Sequence, residues 1–152
     1  MTAPNHALTG ALIGLSVSNP ALALPLAFLA HFIQDTVPHY DQDTPEVQRI
    51  GSKRLFYEQV VAGGAVCALV VLALSLTRPT HWLTAAGAAF LAASPDLFWI
   101  PRWLYVRKTG KDRKLNLFLR FHRSIQWKTG PGFLWVEAVW FVGASVLLWH
   151  YL

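Results

Sequence analysis

Long stretches without charged residues constrain this chain more than any other feature. Residues 59–77 form an uncharged run of 19 residues, close to the ~20 residues that a helix needs to cross a bilayer. Residues 79–101 and 129–152 form two further apolar stretches. Only 14% of the 152 residues are charged, against roughly 25% in an average soluble domain, and the mean hydropathy is +0.37. The sequence therefore predicts an all-α, polytopic helical membrane protein.

The N-terminal apolar region reads differently from the later stretches. Residues 7–18 are too few for a complete crossing, the Asn-Pro pair at 19–20 is a turn signal, and residues 21–37 are again apolar. Gly10 and Gly14 would let the two helices of such a hairpin approach closely. It stays open whether residues 7–18 span the membrane or only dip into it. We predict one domain, 1–152, with a helical hairpin at 7–37, transmembrane helices at 56–77, 80–101 and 131–151, and a basic cytoplasmic loop at 102–130.

Basic residues set the predicted orientation. A hairpin that returns to the side of the N-terminus places residues 39–55 and 102–128 on that same side. These segments hold three and nine Lys or Arg residues, which is 12 of the 13 in the chain, and Arg78 is the exception. The positive-inside rule then places the N-terminus in the cytoplasm. Anionic lipid head groups are the expected partners. Nucleic acid is disfavoured because the basic residues flank apolar spans and no nucleic-acid motif is present.

Ionisable residues that are distant in sequence converge on this cytoplasmic side. His31 and Asp35 are four residues apart and share one helical face, an arrangement that chelates a divalent metal from one helix. Imidazole and carboxylate ligands without thiolate suit Zn, Mn or Fe(II). Ionisable groups in a membrane segment cost a few kcal/mol unless paired. The alternative for this pair is a hydrogen-bonded structural contact. The proposed metal ligands are His6, His31, Asp35, Asp96 and His122.

Other polar residues have simpler explanations. His81 and His150 fall on the far side and suit interfacial anchoring. Glu58 would stabilise the positive end of a helix dipole, and Glu137 would pair either with the site or with a loop arginine. Asp41 fits an ordinary loop acid, although its position also allows a role in the site.

Four short motifs carry a family resemblance. "NHALTG" at the N-terminus, "HFIQDTVPHYD" from residue 31, "SPD" at 94–96 and "FHR" at 121–123 resemble the small bacterial inner-membrane proteins of the LexA-binding inner-membrane hydrolase family. That family is distantly similar to zinc-dependent phospholipase C. The resemblance implies a helical protein of the bacterial inner membrane, a His/Asp metal centre with Arg123 beside it, and hydrolysis of phosphoesters.

The chain also departs from the family pattern. Gln126 and Trp127 stand where a second histidine often follows the His-Arg pair, and Leu97 and Phe98 replace the end of a Pro-Asp-x-Asp motif. The resemblance therefore does not imply a complete set of ligands for two metals.

The leading expectation is a membrane-embedded, metal-dependent hydrolase that acts on a phosphoester, with a lipid head group as the substrate and zinc as the expected metal. Asp41 or His39 would act as general base or complete a second metal site, and Arg123, with Arg120 or Lys128, would hold the phosphate. Two other classes stay open. One is a small ion- or proton-translocating membrane protein, and the other is a non-catalytic, membrane-anchored binding protein.

Overall fold

A computed structural model describes residues 1–40, 61, 63–77 and 81–151, and within these ranges the regular structure is helical. One isolated bridge joins His39 to Thr129. Two segments, Ser94–Trp99 and Pro131–Phe133, are 3₁₀-helices. The α-helices are α1 Ala3–Ser16, α2 Pro20–Asp35, α3 Gly63–Thr77, α4 Trp82–Ala93, α5 Ile100–Thr109, α6 Leu117–Ile125 and α7 Leu134–Tyr151. The all-α prediction is confirmed for the described residues.

Helices α1 and α2 form the N-terminal hairpin. The Asn-Pro signal acts as a helix start, because the Asn19 side chain accepts a hydrogen bond of 2.9 Å from the backbone N–H of Ala21, and Pro20 fills the first helical position. Helix α2 ends at Asp35, three residues before Pro38. The turn after α2 therefore holds Asp35 at the end of the hairpin.

Helix α1 lies at the centre of the bundle and packs against α2, α3, α4 and α7. Its two glycines face α4, which differs from the expected contact with α2. A Cβ atom on Gly14 would lie 2.6 Å from the Cα of Ala85, and one on Gly10 would lie 2.7 Å from the Cβ of Ala92. Small residues on both helices thus bring α1 against α4 at backbone distance.

Among the described residues, two helical segments are long and apolar enough to cross a membrane. They are Trp82–Thr109, with 28 residues, and Pro131–Tyr151, with 21 residues. The helix predicted at 56–77 corresponds to α3, which has 15 described residues. Residues 56–60 and 62 of this prediction lie outside the described ranges. The segment Trp82–Thr109 continues eight residues past residue 101, where the predicted helix ended. The predicted loop at 102–130 therefore contains α5 and α6.

Large apolar side chains cover the outside of the bundle, whereas many interior positions hold alanine. Leu22, Leu26, Leu29 and Ile33 on α2 are between 48% and 68% exposed. Helices α3, α4 and α7 carry further exposed Leu, Val, Phe and Trp side chains. Soluble monomers rarely expose a continuous apolar surface of this kind, and such a surface marks a membrane or a partner.

Candidate metal centre

The centre forms where the end of α2 meets the 3₁₀-helix after α4 and the inner face of α6. His31 and Asp35 lie one helical turn apart on α2, Asp96 lies on the 3₁₀-helix, and His122 lies on α6. Each offers one ligand atom, and these four atoms all lie within 4.8 Å of one another. The Nε2 atoms of His31 and His122 lie 3.0 Å apart, although these residues are 91 positions apart in sequence. This cluster could bind a metal ion.

The spacing of the ligand atoms fits a small coordination sphere. Asp35 Oδ2 lies 2.8 Å from His122 Nε2 and 3.3 Å from His31 Nε2. Asp96 Oδ1 lies 3.8 Å from both imidazole nitrogens. Tetrahedral zinc with bonds of ~2.0–2.1 Å places neighbouring ligand atoms about 3.3 Å apart. Only small adjustments separate the observed atoms from such a sphere.

The backbone of α4 fixes the orientation of His31. Its Nδ1 atom lies 2.7 Å from the carbonyl oxygen of Ala92 and must donate its proton there, because a carbonyl only accepts. Pro95, three residues after Ala92, has no N–H that could compete for this carbonyl. The Nε2 atom of His31 therefore turns its lone pair towards Asp35. A backbone carbonyl that holds the second nitrogen of an imidazole is typical of metal-binding histidines.

A chain of hydrogen bonds fixes His6 in the same way. Trp140 and the Gln34 amide both donate to the Thr9 hydroxyl, at 3.0 and 2.9 Å. This leaves the Gln34 carbonyl oxygen to accept from His6 Nδ1 at 3.1 Å. His6 Nε2 then presents a lone pair 3.2 Å from Asp35 Oδ1.

His6 Nε2 and Asp35 Oδ1 form an ion pair only when the imidazole is protonated; in the neutral tautomer with its proton on Nδ1, their 3.2 Å contact joins a lone pair to a carboxylate oxygen. His6 is fully buried, and no donor among the described residues reaches its Nε2 atom. The imidazole stacks on His31, with ring centroids 3.9 Å apart. The N-terminal ammonium group of Met1 contacts Asp35 Oδ1. This ammonium group already pairs with the buried carboxylate, so a metal ion would have to displace it in order to bind both Asp35 and the His6 nitrogen.

His122 is the one imidazole of the cluster whose proton faces inward. The indole N–H of Trp99 points at His122 Nδ1 over 3.2 Å, and because indole only donates, Nδ1 must accept. The proton therefore sits on Nε2 and is directed at Asp35 Oδ2. The Gln126 amide donates to the same oxygen at 2.9 Å. His122 would have to move this proton to Nδ1 before Nε2 could bind a metal.

A cation and a carboxylate support Trp99 from outside the centre. The guanidinium of buried Arg102 lies 5.6 Å from the centroid of the Trp99 ring, within the range of a cation–π contact. Asp112 accepts a 2.6 Å hydrogen bond from Arg102. The Arg102 guanidinium lowers the pKa of the Asp112 carboxyl below its usual value.

The remaining predicted site residues have separate surroundings. His39 is buried, its Nδ1 atom lies 2.8 Å from the Val37 carbonyl oxygen, and burial lowers its pKa. Asp41 lies outside the described residues. Arg120, Arg123 and Lys128 are exposed, and the Lys128 ammonium lies 5.5 Å from the ring centroid of Phe133.

Sequence reasoning did not assign roles to several residues that support the centre. Gln34 and Gln126 could have been found by helical spacing, since each lies three or four residues from a proposed ligand. Trp99 and Ala92 lie at the same spacing from Asp96, but an indole is rarely read as a partner of a ligand, and a backbone carbonyl is supplied by every residue type. Glu137 is buried and accepts hydrogen bonds from Thr2 and Asn5.

Comparison with known proteins adds no relative: no family model, no curated protein and no solved structure matches this chain. The chemistry of the site is therefore argued from its geometry.

Proposed function

We propose that this protein is a membrane-embedded, metal-dependent hydrolase that acts on a phosphoester, with a lipid head group as substrate. One observation carries the proposal. The lone pair of His6 Nε2 is buried without a hydrogen-bond partner among the described residues, and it lies 3.2 Å from the buried carboxylate that His31 and His122 also contact. A divalent cation that displaced the Met1 ammonium group could bind His6, His31 and Asp35, and also His122 once the proton of that imidazole had moved to Nδ1. The imidazole and carboxylate donors favour Zn, with Mn and Fe(II) as alternatives.

The proposed metal centre is accessible from outside the protein on the side of Asp96. The side chain of Asp96 is 29% exposed, whereas those of His6, His31 and His122 are fully buried. A substrate would therefore approach past Asp96. A divalent cation at the centre supplies water activation and polarisation of the phosphoester bond.

Basic residues on the helix that carries His122, and just after it, suit an anionic substrate. Arg120 and Arg123 lie on α6, the helix that carries His122, and both are exposed. Guanidinium groups bind phosphate oxygens through paired, charge-assisted hydrogen bonds. Lys128 follows shortly after the same helix. Asp41 and His39 stay candidates for the general base or for a second metal site.

The proposed location is the bacterial inner membrane, with the N-terminus and the centre on the cytoplasmic side. Its support is the pair of helices long enough to cross a membrane, the apolar exterior, and the clustering of Lys and Arg in segments 39–55 and 102–128.

Metal analysis tests the foundation of this proposal. Protein purified without a histidine tag, then dialysed against zinc, should retain a stoichiometric metal measured by mass spectrometry. The His31→Ala and Asp35→Asn variants should lose most of it, because each removes a ligand from the cluster. The matched control is His150→Ala, which changes an exposed histidine on α7. Equal metal content in all four proteins would overturn the assignment of the centre.

An activity assay tests the hydrolase assignment itself. The zinc-loaded protein should hydrolyse bis(p-nitrophenyl) phosphate or a phospholipid, lose the activity with a chelator, and regain it when zinc is returned. Turnover that survives in Asp35→Asn would contradict the assignment. Metal binding without hydrolysis, together with metal or proton flux into liposomes, would instead favour the translocation alternative. Absence of both metal and flux would favour a binding protein.

A further inference from the structure

Four phenylalanines, Phe32, Phe98, Phe118 and Phe121, form an aromatic group beside the proposed metal centre, here called the Phe cluster. The ring centroids of Phe98 and Phe118 are 4.7 Å apart, and those of Phe32 and Phe121 are 5.6 Å apart. Phe32 joins the two pairs, with its centroid 6.2 Å from that of Phe118. These separations are typical of aromatic rings in direct contact.

The Phe cluster is built on the three elements that carry the four-residue metal cluster. Phe32 follows His31 on α2, and its ring centroid lies 5.3 Å from the His31 ring. Phe118 and Phe121 lie on α6, where the Phe118 centroid is 6.0 Å from that of His122. Phe98 shares the 3₁₀-helix with Asp96. Any molecule that rests on the rings is therefore held at the edge of the centre.

The outer rings of the cluster are open. Phe98 is 53% exposed and Phe121 is 50% exposed. Phe98 lies two residues after the partly exposed Asp96 on the same 3₁₀-helix, and Phe121 precedes His122 on α6. Beyond them the apolar exterior of α2 continues with Leu29 and Ile33. The rings thus connect the centre to the lipid-facing surface without a polar interruption on α2.

We infer that the Phe cluster is an acyl-chain subsite, which makes the substrate a phospholipid and Phe98 and Phe121 its specificity-determining residues. This inference rests on the proposed function. The chain would lie on the rings, the phosphate would lie over Asp96 and the metal centre, and Arg120 and Arg123 would bind the phosphate oxygens from α6. Rings that contact the chain remove apolar surface from water or detergent and so favour long-chain over soluble phosphoesters.

The test compares two ligands that share a head group. Zinc-loaded, full-length protein in maltoside micelles is titrated with dioleoylphosphatidylglycerol and with glycerol 1-phosphate, its water-soluble counterpart. The Phe98→Ala/Phe121→Ala variant should bind the phospholipid about tenfold more weakly and glycerol 1-phosphate with unchanged affinity. Its zinc content should equal that of the unaltered protein, which shows that the centre remains intact.

The matched control is Phe90→Ala/Phe141→Ala, which removes two exposed rings from α4 and α7 away from the centre, and it should bind both ligands normally. The inference is overturned by unchanged phospholipid binding, by the same loss in the control, or by equal losses for both ligands.

The outcome separates this inference from the hydrolase proposal. Selective loss of phospholipid binding in a protein that hydrolyses neither ligand would support the subsite and reject the hydrolase. Hydrolysis of soluble and lipid phosphoesters at equal kcat/KM, unaffected by the Phe98 and Phe121 changes, would support the hydrolase and reject the subsite. Hydrolysis that prefers the lipid, with the preference lost in the double variant, would support both.

Discussion

Asp35 is the residue on which the centre depends, because three imidazoles from three helices point at its two oxygens. Its Oδ1 atom faces His6, and its Oδ2 atom faces His31 and His122. Each imidazole is oriented by a different partner of its other nitrogen: a side-chain amide, a backbone carbonyl and an indole. These partners fix which ring nitrogen of each neutral imidazole faces Asp35, and contacts of this kind tune the affinity of metal sites in general.

At this scale the sequence predicts the ligands better than it predicts their partners. The spacing of His31 and Asp35, together with the charge-based topology, was enough to place both beside Asp96 and His122. The partner of His31 could not be predicted, because it is a backbone carbonyl on another helix, which any residue type supplies. The role of Trp99 depends on the rotation of the 3₁₀-helix, which side-chain identities do not encode directly.

The Trp99→Phe substitution should strengthen metal binding. Indole donates to His122 Nδ1 and thereby keeps the His122 proton on Nε2, the atom that faces the centre. Phenylalanine removes that donor, so the proton can move to Nδ1 and Nε2 becomes free to bind. A hydrogen bond of about 0.5–1.5 kcal/mol corresponds to roughly 2- to 10-fold higher zinc affinity, measured by chelator competition. Trp103→Phe, on α5, is the control. Weaker zinc binding in Trp99→Phe would refute the inferred proton position.

At the scale of elements, the centre depends on how closely α1 approaches α4. Helix α1 carries His6, and α4 leads into the segment that carries Asp96. The Asn-Pro turn followed from its breaker signal, whereas the apolar runs gave the helix bounds only approximately, since α5 lies within the predicted loop. The sequence did not show which helix packs against the glycine face of α1, because such a face fits any helix with a complementary row of small residues. In the structure α4 offers this row, at Ala85, Ala88 and Ala92.

The Gly14→Ala substitution should destabilise the bundle. Its Cβ would lie 2.6 Å from the backbone Cα of Ala85, which cannot move aside as a flexible side chain could. Such overpacking costs about 1–3 kcal/mol, which corresponds to a fall in melting temperature of roughly 2–4 °C for each kcal/mol. Thermal unfolding in detergent measures it. Gly143→Ala on α7, where nothing lies within 4 Å of the added Cβ, is the control and should leave the melting temperature unchanged or raise it slightly, because alanine favours a helix more than glycine does. Equal melting temperatures for both variants would contradict this packing.

At the scale of the whole molecule, composition and charge carry most of the information. The uncharged runs predicted helices, and the distribution of Lys and Arg predicted that His6, Asp35 and His122 would share one side. The sequence did not predict that the Trp82–Thr109 segment continues beyond Pro101, because a proline at the end of an apolar stretch usually indicates the end of a helix. Here Pro101 lies in the first turn of α5, where its missing N–H breaks no helical hydrogen bond.

This long segment makes the orientation testable. His81 precedes it and Lys111 follows it, and both are exposed. A helix of 28 residues extends about 42 Å at 1.5 Å per residue, enough to cross the ~30 Å hydrocarbon core of a bilayer. In a Cys67→Ala background, His81→Cys should react with a membrane-impermeant maleimide in right-side-out vesicles. Lys111→Cys should react only in inverted vesicles, because the positive-inside rule places the basic end in the cytoplasm. Labelling of both cysteines from one side would show that the segment does not cross the membrane, and the reverse pattern would place the metal centre on the outer face.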